Sequence, residues 1–364
     1  MNRNIVIKKI NPTNSRIICI SDIHGNLNAF KALLHKIHFD IKNDCLILLG
    51  DLIEKGTQSF DTLHYIMNLM KHDNVYCIMG NCDFIAKNIL YSYRLPFLKN
   101  ILNTRKNSLI HEMAKQLNIP WDNSLDMEEF AQILRKNYLS ELTFLNDLPH
   151  IIEDENTIYA HAGIMNQNSY GNDFKQVMTY PFFLYTEKKF SKPIVVGHMP
   201  VTEYAKEKAS FNIQHDTNKN IYSIDGGNVV KEAGQLNALI LENNQPKYAS
   251  IDFLPHAKCI CTTNPIQNHS IYIPWNHSEI TILNTYENYV EAYSSYFKEK
   301  IKIDKHFITK EKERFHATDF TTYEMPLKKG EKVSIVKIYG NKVQVKKNGI
   351  LGWTMRANIK MEES

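Results

Sequence analysis

Apolar positions along the chain fall into short continuous runs separated by stretches of helical spacing. The runs are RIICI at 16–20, CLILL at 45–49, VYCIM at 75–79, TIYA at 157–160 and IVV at 194–196. Short apolar runs bounded by polar residues or glycine predict strands buried on both faces of an α/β sheet. Between them, residues 27–38 (LNAFKALLHKIH) and 58–71 (QSFDTLHYIMNLMK) repeat apolar residues every three or four positions. These predict core-facing crossover helices, with Phe60, Leu63, Met67 and Met70 on one stripe given over to packing.

The residues that follow each run carry the chemistry. They are Ser21-Asp22-Ile23-His24, Gly50-Asp51, Gly80-Asn81, His161-Ala162-Gly163 and Gly197-His198. In α/β sheets ligand-binding groups collect at the carboxyl ends of strands, and glycine there permits tight turns. Together Asp22, His24, Asp51, Asn81, His161 and His198 offer oxygen and nitrogen ligands and no thiolate. That donor set suits Mn, Fe or Zn in a two-metal site, where one carboxylate bridges ions roughly 3.5–4 Å apart and a water between them attacks phosphorus in line.

In this order the motifs resemble those of the calcineurin-like metallophosphoesterases, whose pattern runs D-x-H, G-D-x-x-D-R-G, G-N-H-E/D and two later histidines. Here they read Asp22-Ile23-His24, GDLIEKG at 50–56, GNCD at 80–83, AHAGI at 160–164 and VGHMP at 196–200. The last two, with IDGG at 224–227, are most similar to the bacterial phosphoprotein-phosphatase branch. The resemblance implies two mixed β-sheets packed as a sandwich and flanked by helices. It places Asp22, His24 and Asp51 on a first metal, with Asp51 bridging to a second completed by Asn81, His161 and His198. Two divalent ions follow as cofactors, manganese first among Mn, Fe and Zn.

Three departures bear on chemistry. Cys82 stands where the phosphatase branch has the histidine proposed as general acid, and a thiol of pKa ~8.5 is a poorer proton donor than an imidazolium. GNCD is instead similar to the small bacterial phosphodiesterase branch. Lys55 replaces an arginine that forks onto substrate phosphate, a point charge in place of a planar donor. No arginine lies between His161 and His198. Glu54 occupies the position of the acid that orients the missing histidine. Both residues keep a plainer reading: Glu54 as a solvated loop carboxylate, Cys82 as packing beside a ligand.

Residues 84–153, helical in pattern and rich in aromatics, read as an insertion over the metal centre; Arg94 could reach substrate phosphate in place of the missing arginine, but its plainer reading is a solvated surface arginine. After Asp252 the pattern alternates in a β manner. A weak repeat aligns 280–308 with 333–359, and the second copy resembles a bacterial SH3-like domain. The expected layout is a phosphoesterase domain over 1–256 and SH3-like domains over 265–315 and 320–364. Because every candidate ligand precedes Asn264, the first domain is expected to work without the rest.

Composition narrows the class. The 364 residues are 43% hydrophobic and 23% charged, with a formal charge of +4, too small to imply nucleic acid as a partner. The N-terminus lacks a signal peptide's apolar core and no stretch is long enough to span a bilayer, which points to the cytoplasm and to no membrane partner. Six cysteines show no paired metal-ligand spacing and no disulfide framework. The expected activity is hydrolysis of phosphomonoesters on a phosphorylated protein or small phosphoester, as in serine/threonine-type phosphatases. A phosphodiesterase or nucleotide-polyphosphate hydrolase is the alternative, and a metal-bound interaction scaffold the non-enzymatic one. The SH3-like domains imply a peptide partner.

Overall fold

The computed structural model describes every residue except Met1, residues 13–15, Asn123, Asn244, Asn268, Glu363 and Ser364. The chain forms two compact units, one of Met1–Pro200 with Asn212–Asp252 and the other of Val201–Phe211 with Phe253–Ser364.

In the first unit the strands are β1 (Ile7–Lys9), β2 (Arg16–Ile20), β3 (Asp44–Leu48), β4 (Val75–Cys77), β5 (Ile151–Glu153), β6 (Ile158–Ala160), β7 (Ile194–Val196), β8 (Gln214–Asp216), β9 (Ile221–Ser223), β10 (Leu236–Glu242) and β11 (Gln245–Ile251). One sheet runs β1-β5-β6-β7-β9-β8 and the other β11-β10-β2-β3-β4. The five apolar runs are all strands, but they divide between the sheets. β2, β3 and β4 lie parallel in one, β6 and β7 parallel in the other. Both sheets also hold antiparallel pairs, so both are mixed, as the resemblance implies.

Side chains alternate across a strand, so each sheet has one face for its partner. Cys19, Cys45, Ile47 and Leu239 from one sheet meet Ile152, Tyr159, Val195 and Tyr222 from the other in a single buried cluster. The cysteines there are free and behave as small hydrophobes. The Tyr159 hydroxyl, inside that cluster, donates to Asp154 at 2.7 Å, which satisfies its polar end.

The helix α1 (Leu27–Lys36) starts at Asn26, whose side chain accepts from the Ala29 N–H. The helix α2 (Ser59–Leu69) receives no cap from Gln58. Instead Glu112 accepts from the N–H groups of Ser59 at 2.9 Å and Phe60 at 2.7 Å. Its buried face is Ser59, Thr62, Leu63 and Ile66, so the predicted stripe is rotated about Leu63, with Phe60, Met67 and Met70 only half-buried.

The insertion consists of α3 (Ile85–Leu90), α4 (Leu95–Thr104), α5 (Leu109–Gln116), α6 (Met127–Asn137) and α7 (Leu139–Asp147). Several of its aromatics pack on one another: Trp121 meets His111 at 4.9 Å and Phe130 at 5.8 Å between ring centres. Among the described residues no helix is long and apolar enough to cross a membrane.

His150, where the insertion returns to β5, is buried, accepts the Val6 N–H on Nδ1 at 3.0 Å and stacks on Phe174. Burial, and secondarily the Lys87 charge, lowers its pKa to about 4. The unfolded chain therefore takes up this proton first, and stability present above pH ~6.5 is lost as pH falls toward 4. Acid unfolding monitored by circular dichroism should show this loss and His150→Gln should reduce it; an unchanged acid limb would mean His150 does not contribute.

The second unit holds two five-stranded antiparallel sheets. One comprises Glu279–Thr285, Tyr289–Ser294, Glu299–Asp304, Ile308–Glu311 and Arg314–Ala317, and the other His256–Cys259, Lys332–Tyr339, Lys342–Lys347, Ile350–Met355 and Ile359–Met361. Each contains a three-stranded meander, a register shift in its first hairpin, a 3-10 turn and a closing strand. That order of elements coincides with the weak sequence repeat. The boundaries differ from those expected. His256–Cys259 pairs with Lys332–Tyr339 and Ile359–Met361, so the first small sheet is inserted within the second. Val201–Phe211 is also part of this unit: Tyr272 N–H donates to the Lys206 carbonyl and Phe211 N–H to Gly349.

Candidate metal centre

Two loops leaving β2 and β3 are joined backbone to backbone. Asp22 N–H donates to the Gly50 carbonyl at 3.1 Å, His24 N–H to Asp51 at 2.9 Å and Gly25 N–H to Leu52 at 2.9 Å. Asp22, His24, Asp51, Glu54, Lys55 and His198 all have φ between +50° and +76°. Each non-glycine residue in this region costs about 1–2 kcal/mol, strain that the surrounding hydrogen bonds offset. Gly197 is required by space: a Cβ there would sit 2.3 Å from the Asp22 Oδ2.

The predicted ligands converge from both sheets. Ligand atoms of Asp22, Asp51 and His161 lie within 4.8 Å of one another, as do those of His24, Asp51 and Cys82. Asp51 belongs to both groups. Its Oδ1 is 3.4 Å from His161 Nε2 and its Oδ2 is 3.8 Å from His24 Nε2. Asn81 Oδ1 is 3.0 Å from His161 Nε2. The His161 and His198 rings are 5.0 Å apart, and His198 N–H donates to Asp22 Oδ2 at 2.9 Å.

These groups fit divalent metal. His161 Nδ1 faces the Leu49 carbonyl at 2.7 Å and donates to it, which assigns the Nε2 lone pair to the cluster. That lone pair then points at the Asn81 oxygen, an arrangement of two acceptors that a cation reconciles. Asp22 Oδ1 is buried without a hydrogen-bond partner, 3.8 Å from His24 Nε2. Burial, then the Asp51 charge, raises Asp22 to about 8, while burial, then the Lys55 charge, lowers His24 to about 3. His198 is lowered to about 3 by burial and then by His161. Asp51 is held below the ordinary range: burial opposes this, but His161, His24 and Lys55 outweigh it. Buried carboxylates crowded in this way are paired or coordinate metal.

The remaining candidates are placed as follows. Lys55 Nζ donates to His24 Nε2 at 3.3 Å, inside the cluster. Cys82 is buried, its N–H donates to Asp51 Oδ1 at 2.7 Å, and burial followed by the Asp51 charge lifts its thiol well above the ordinary value. Glu54 is fully buried, which overturns its reading as a solvated carboxylate. Nor is it free to orient a histidine, because Arg105 Nη1 donates to it at 2.5 Å, Ser108 Oγ at 2.8 Å and Leu109 N–H at 2.8 Å. Arg94 lies over the Phe97 ring at 4.5 Å.

Sequence reading gives no role to Arg105, Asp83, Asp225 or Asn228. Asp83 accepts the N–H groups of Gly80 at 2.8 Å and Leu52 at 3.0 Å, tying two motif loops together. Asn228 donates to the Ile23 carbonyl at 2.8 Å and accepts from Asn26 at 3.1 Å. Asp225 is buried, and burial, then the Asp22 charge, raises it well above the carboxylate range. The fourth letter of GNCD and the IDGG motif are the available signals for Asp83 and Asp225; Asn228, just after IDGG, and Arg105 have none.

A symmetrical bis(5'-nucleosyl)-tetraphosphatase of Pseudomonas fluorescens is 30% identical over 148 residues, covering 41% of this chain and 42% of that protein. One of Escherichia coli is 29% identical over 174 residues, covering 45% and 52%. The chain thus spans about half the length of these relatives or less. A cold-active protein-tyrosine phosphatase of a psychrophilic Shewanella superposes with a TM-score of 0.45 at 14% identity, covering 68% of this chain and 82% of that one. The family model for calcineurin-like phosphoesterases matches residues 15–248, well over half of the chain, and the chain belongs to that family.

Proposed function

We propose that the protein hydrolyses the phosphoanhydride of a nucleoside polyphosphate such as a symmetrical dinucleoside tetraphosphate, with Asp22, His24, Asp51, Asn81, His161 and His198 holding two divalent ions, manganese first. The observation that carries this reading is a buried thiol, Cys82, where the phosphatase branch has a histidine. Such a thiol is a poor acid for protonating a leaving alkoxide. A leaving nucleotide phosphate departs as a stable anion and needs no proton. The names of the relatives support the same substrate class.

When bound, the metal pair supplies Lewis-acid charge to phosphoryl oxygens and acidifies water. The chain's own groups do the rest. Lys55, whose positive charge burial opposes and the Asp51 and Asp22 carboxylates favour, binds a phosphoryl oxygen near His24. His161 is fixed by the Leu49 carbonyl, and Asp83 and Asn228 hold the loops that present the ligands. Phosphomonoester hydrolysis on a phosphoprotein is the second reading, favoured by the likeness of AHAGI, VGHMP and IDGG to the phosphatase branch. For the second unit a peptide is the partner to test, on sequence likeness alone.

The test compares manganese-loaded protein on diadenosine tetraphosphate, p-nitrophenyl phosphate, bis-p-nitrophenyl phosphate and a phosphoserine peptide. Two ADP should form from the tetraphosphate, with kcat/KM ~10²-fold or more above that for phosphoserine, the factor general acid catalysis would otherwise contribute. Cys82→His should leave phosphoserine hydrolysis slow, since Glu54 is committed to Arg105 and the buried site leaves little room for an imidazole. Equal rates on phosphoserine and tetraphosphate in the wild type would overturn the reading.

A further inference from the structure

The sequence holds seven arginines. In the first unit Arg3 pairs with Asp173, Arg16 with Asp44, Arg94 covers Phe97, and Arg135 donates to the Ile89 carbonyl and Ser92. Arg314 and Arg356 belong to the second unit. Arg105, at the end of α4, is oriented differently. Among the described residues its side chain bonds to Glu54, a carboxylate that is fully buried and stands next to Lys55 in the loop bearing Asp51. The other Glu54 oxygen takes Ser108 and Leu109, so the carboxylate cannot turn away.

Arg105 is thereby held at one corner of its guanidinium, with its side chain 25% exposed. A guanidinium carries five N–H donors in a planar fork suited to phosphate oxygens, and four remain after the bond through Nη1 to Glu54. The charge is also felt at the metal cluster. Burial opposes ionisation of Arg105, but the Glu54 and Asp51 carboxylates hold its pKa above the ordinary value. The buried carboxylate thus acts as a positioning group for an arginine delivered by the helical insertion.

We propose that Arg105 binds substrate beside the metal cluster, gripping the phosphate next to the one under attack, and so selects polyphosphates over phosphomonoesters. This deepens the polyphosphate reading and rests on it for the substrate class. A monoester has no second phosphate to offer, so Arg105 contributes to discrimination without being needed for attack on a simple aryl phosphate.

The experiment uses full-length manganese-loaded protein and inhibition of p-nitrophenyl phosphate hydrolysis by two inorganic probes, tripolyphosphate and orthophosphate. Arg105→Lys keeps a charge against Glu54 but loses the fork. Its inhibition constant for tripolyphosphate should rise about 10-fold or more, as expected for loss of a charge-assisted bond, while that for orthophosphate stays within about twofold. Because a buried ion pair can be needed for folding, a second measurement uses the wild type. Phenylglyoxal modification of Arg105, located by mass spectrometry, should be blocked by tripolyphosphate and not by orthophosphate. Parallel changes in both inhibition constants, no change in either, or modification insensitive to tripolyphosphate would overturn the proposal. If the two probes separate as expected but diadenosine tetraphosphate is not cleaved, the Arg105 site stands and the substrate reading falls.

Discussion

Asp51→Asn is expected to abolish metal binding and to lower hydrolysis of every phosphoester by ~10³-fold, since metal charge stabilisation is worth several kcal/mol and each 1.36 kcal/mol is tenfold in rate. Asp51 is the carboxylate shared by both ligand groups, with its two oxygens facing His161 and His24. Asparagine has nearly the same shape and keeps an oxygen to accept the Cys82 N–H. What it lacks is charge at the centre of the cluster. The fold should therefore survive, with little change in melting temperature measured in chelator, while elemental analysis after manganese loading shows metal lost from both positions. A folded variant that retains its metal would show that Asp51 does not bridge.

The second large effect is expected from shortening the chain after Asp252. Although every candidate ligand is kept, Val201–Phe211 loses the unit to which it belongs. Its bonds to Tyr272, Gly349, Leu351 and Trp275 disappear. That segment begins three residues after His198. A displacement of ~1 Å at a catalytic group can cost 10²-fold, and the shortened protein should lose about that factor on p-nitrophenyl phosphate. Hydrogen exchange should show rapid exchange over 201–211 in the shortened chain. Full aryl phosphatase activity in the shortened protein would mean that His198 is positioned independently of the segment.

The candidate metal ligands are legible in the sequence because each follows a run whose apolar character already marks a strand end. Asp22, Asp51 and His198 announce themselves by position as much as by residue type. Their division between two sheets is not legible, since a run such as IVV at 194–196 carries no mark of its neighbour. The excursion of Val201–Phe211 escapes for a similar reason: nothing in the composition of VTEYAKEKASF separates it from an ordinary surface loop. His256–Cys259 is too short and too polar to declare itself a strand of a sheet completed near residue 361. Glu54 shows how a site is remade by an insertion. Its place in GDLIEKG is visible, but its partner Arg105 comes from the end of a helix in a segment without motifs.

The place of β10 beside β2 also sets an order of assembly. Domains generally fold from the N-terminus during synthesis, yet β2 and the loop carrying Asp22 and His24 acquire their neighbour on that side only after Leu236–Glu242 has been made. Pairing residue 16 with residue 242 closes a long loop, and non-local pairings of this kind slow folding. Until then the β2 edge, composed of RIICI, presents unpaired backbone groups and apolar side chains to other chains. The nascent protein is therefore exposed to aggregation while most of its candidate metal ligands have already been synthesised, and the interval ends when β10 pairs with β2.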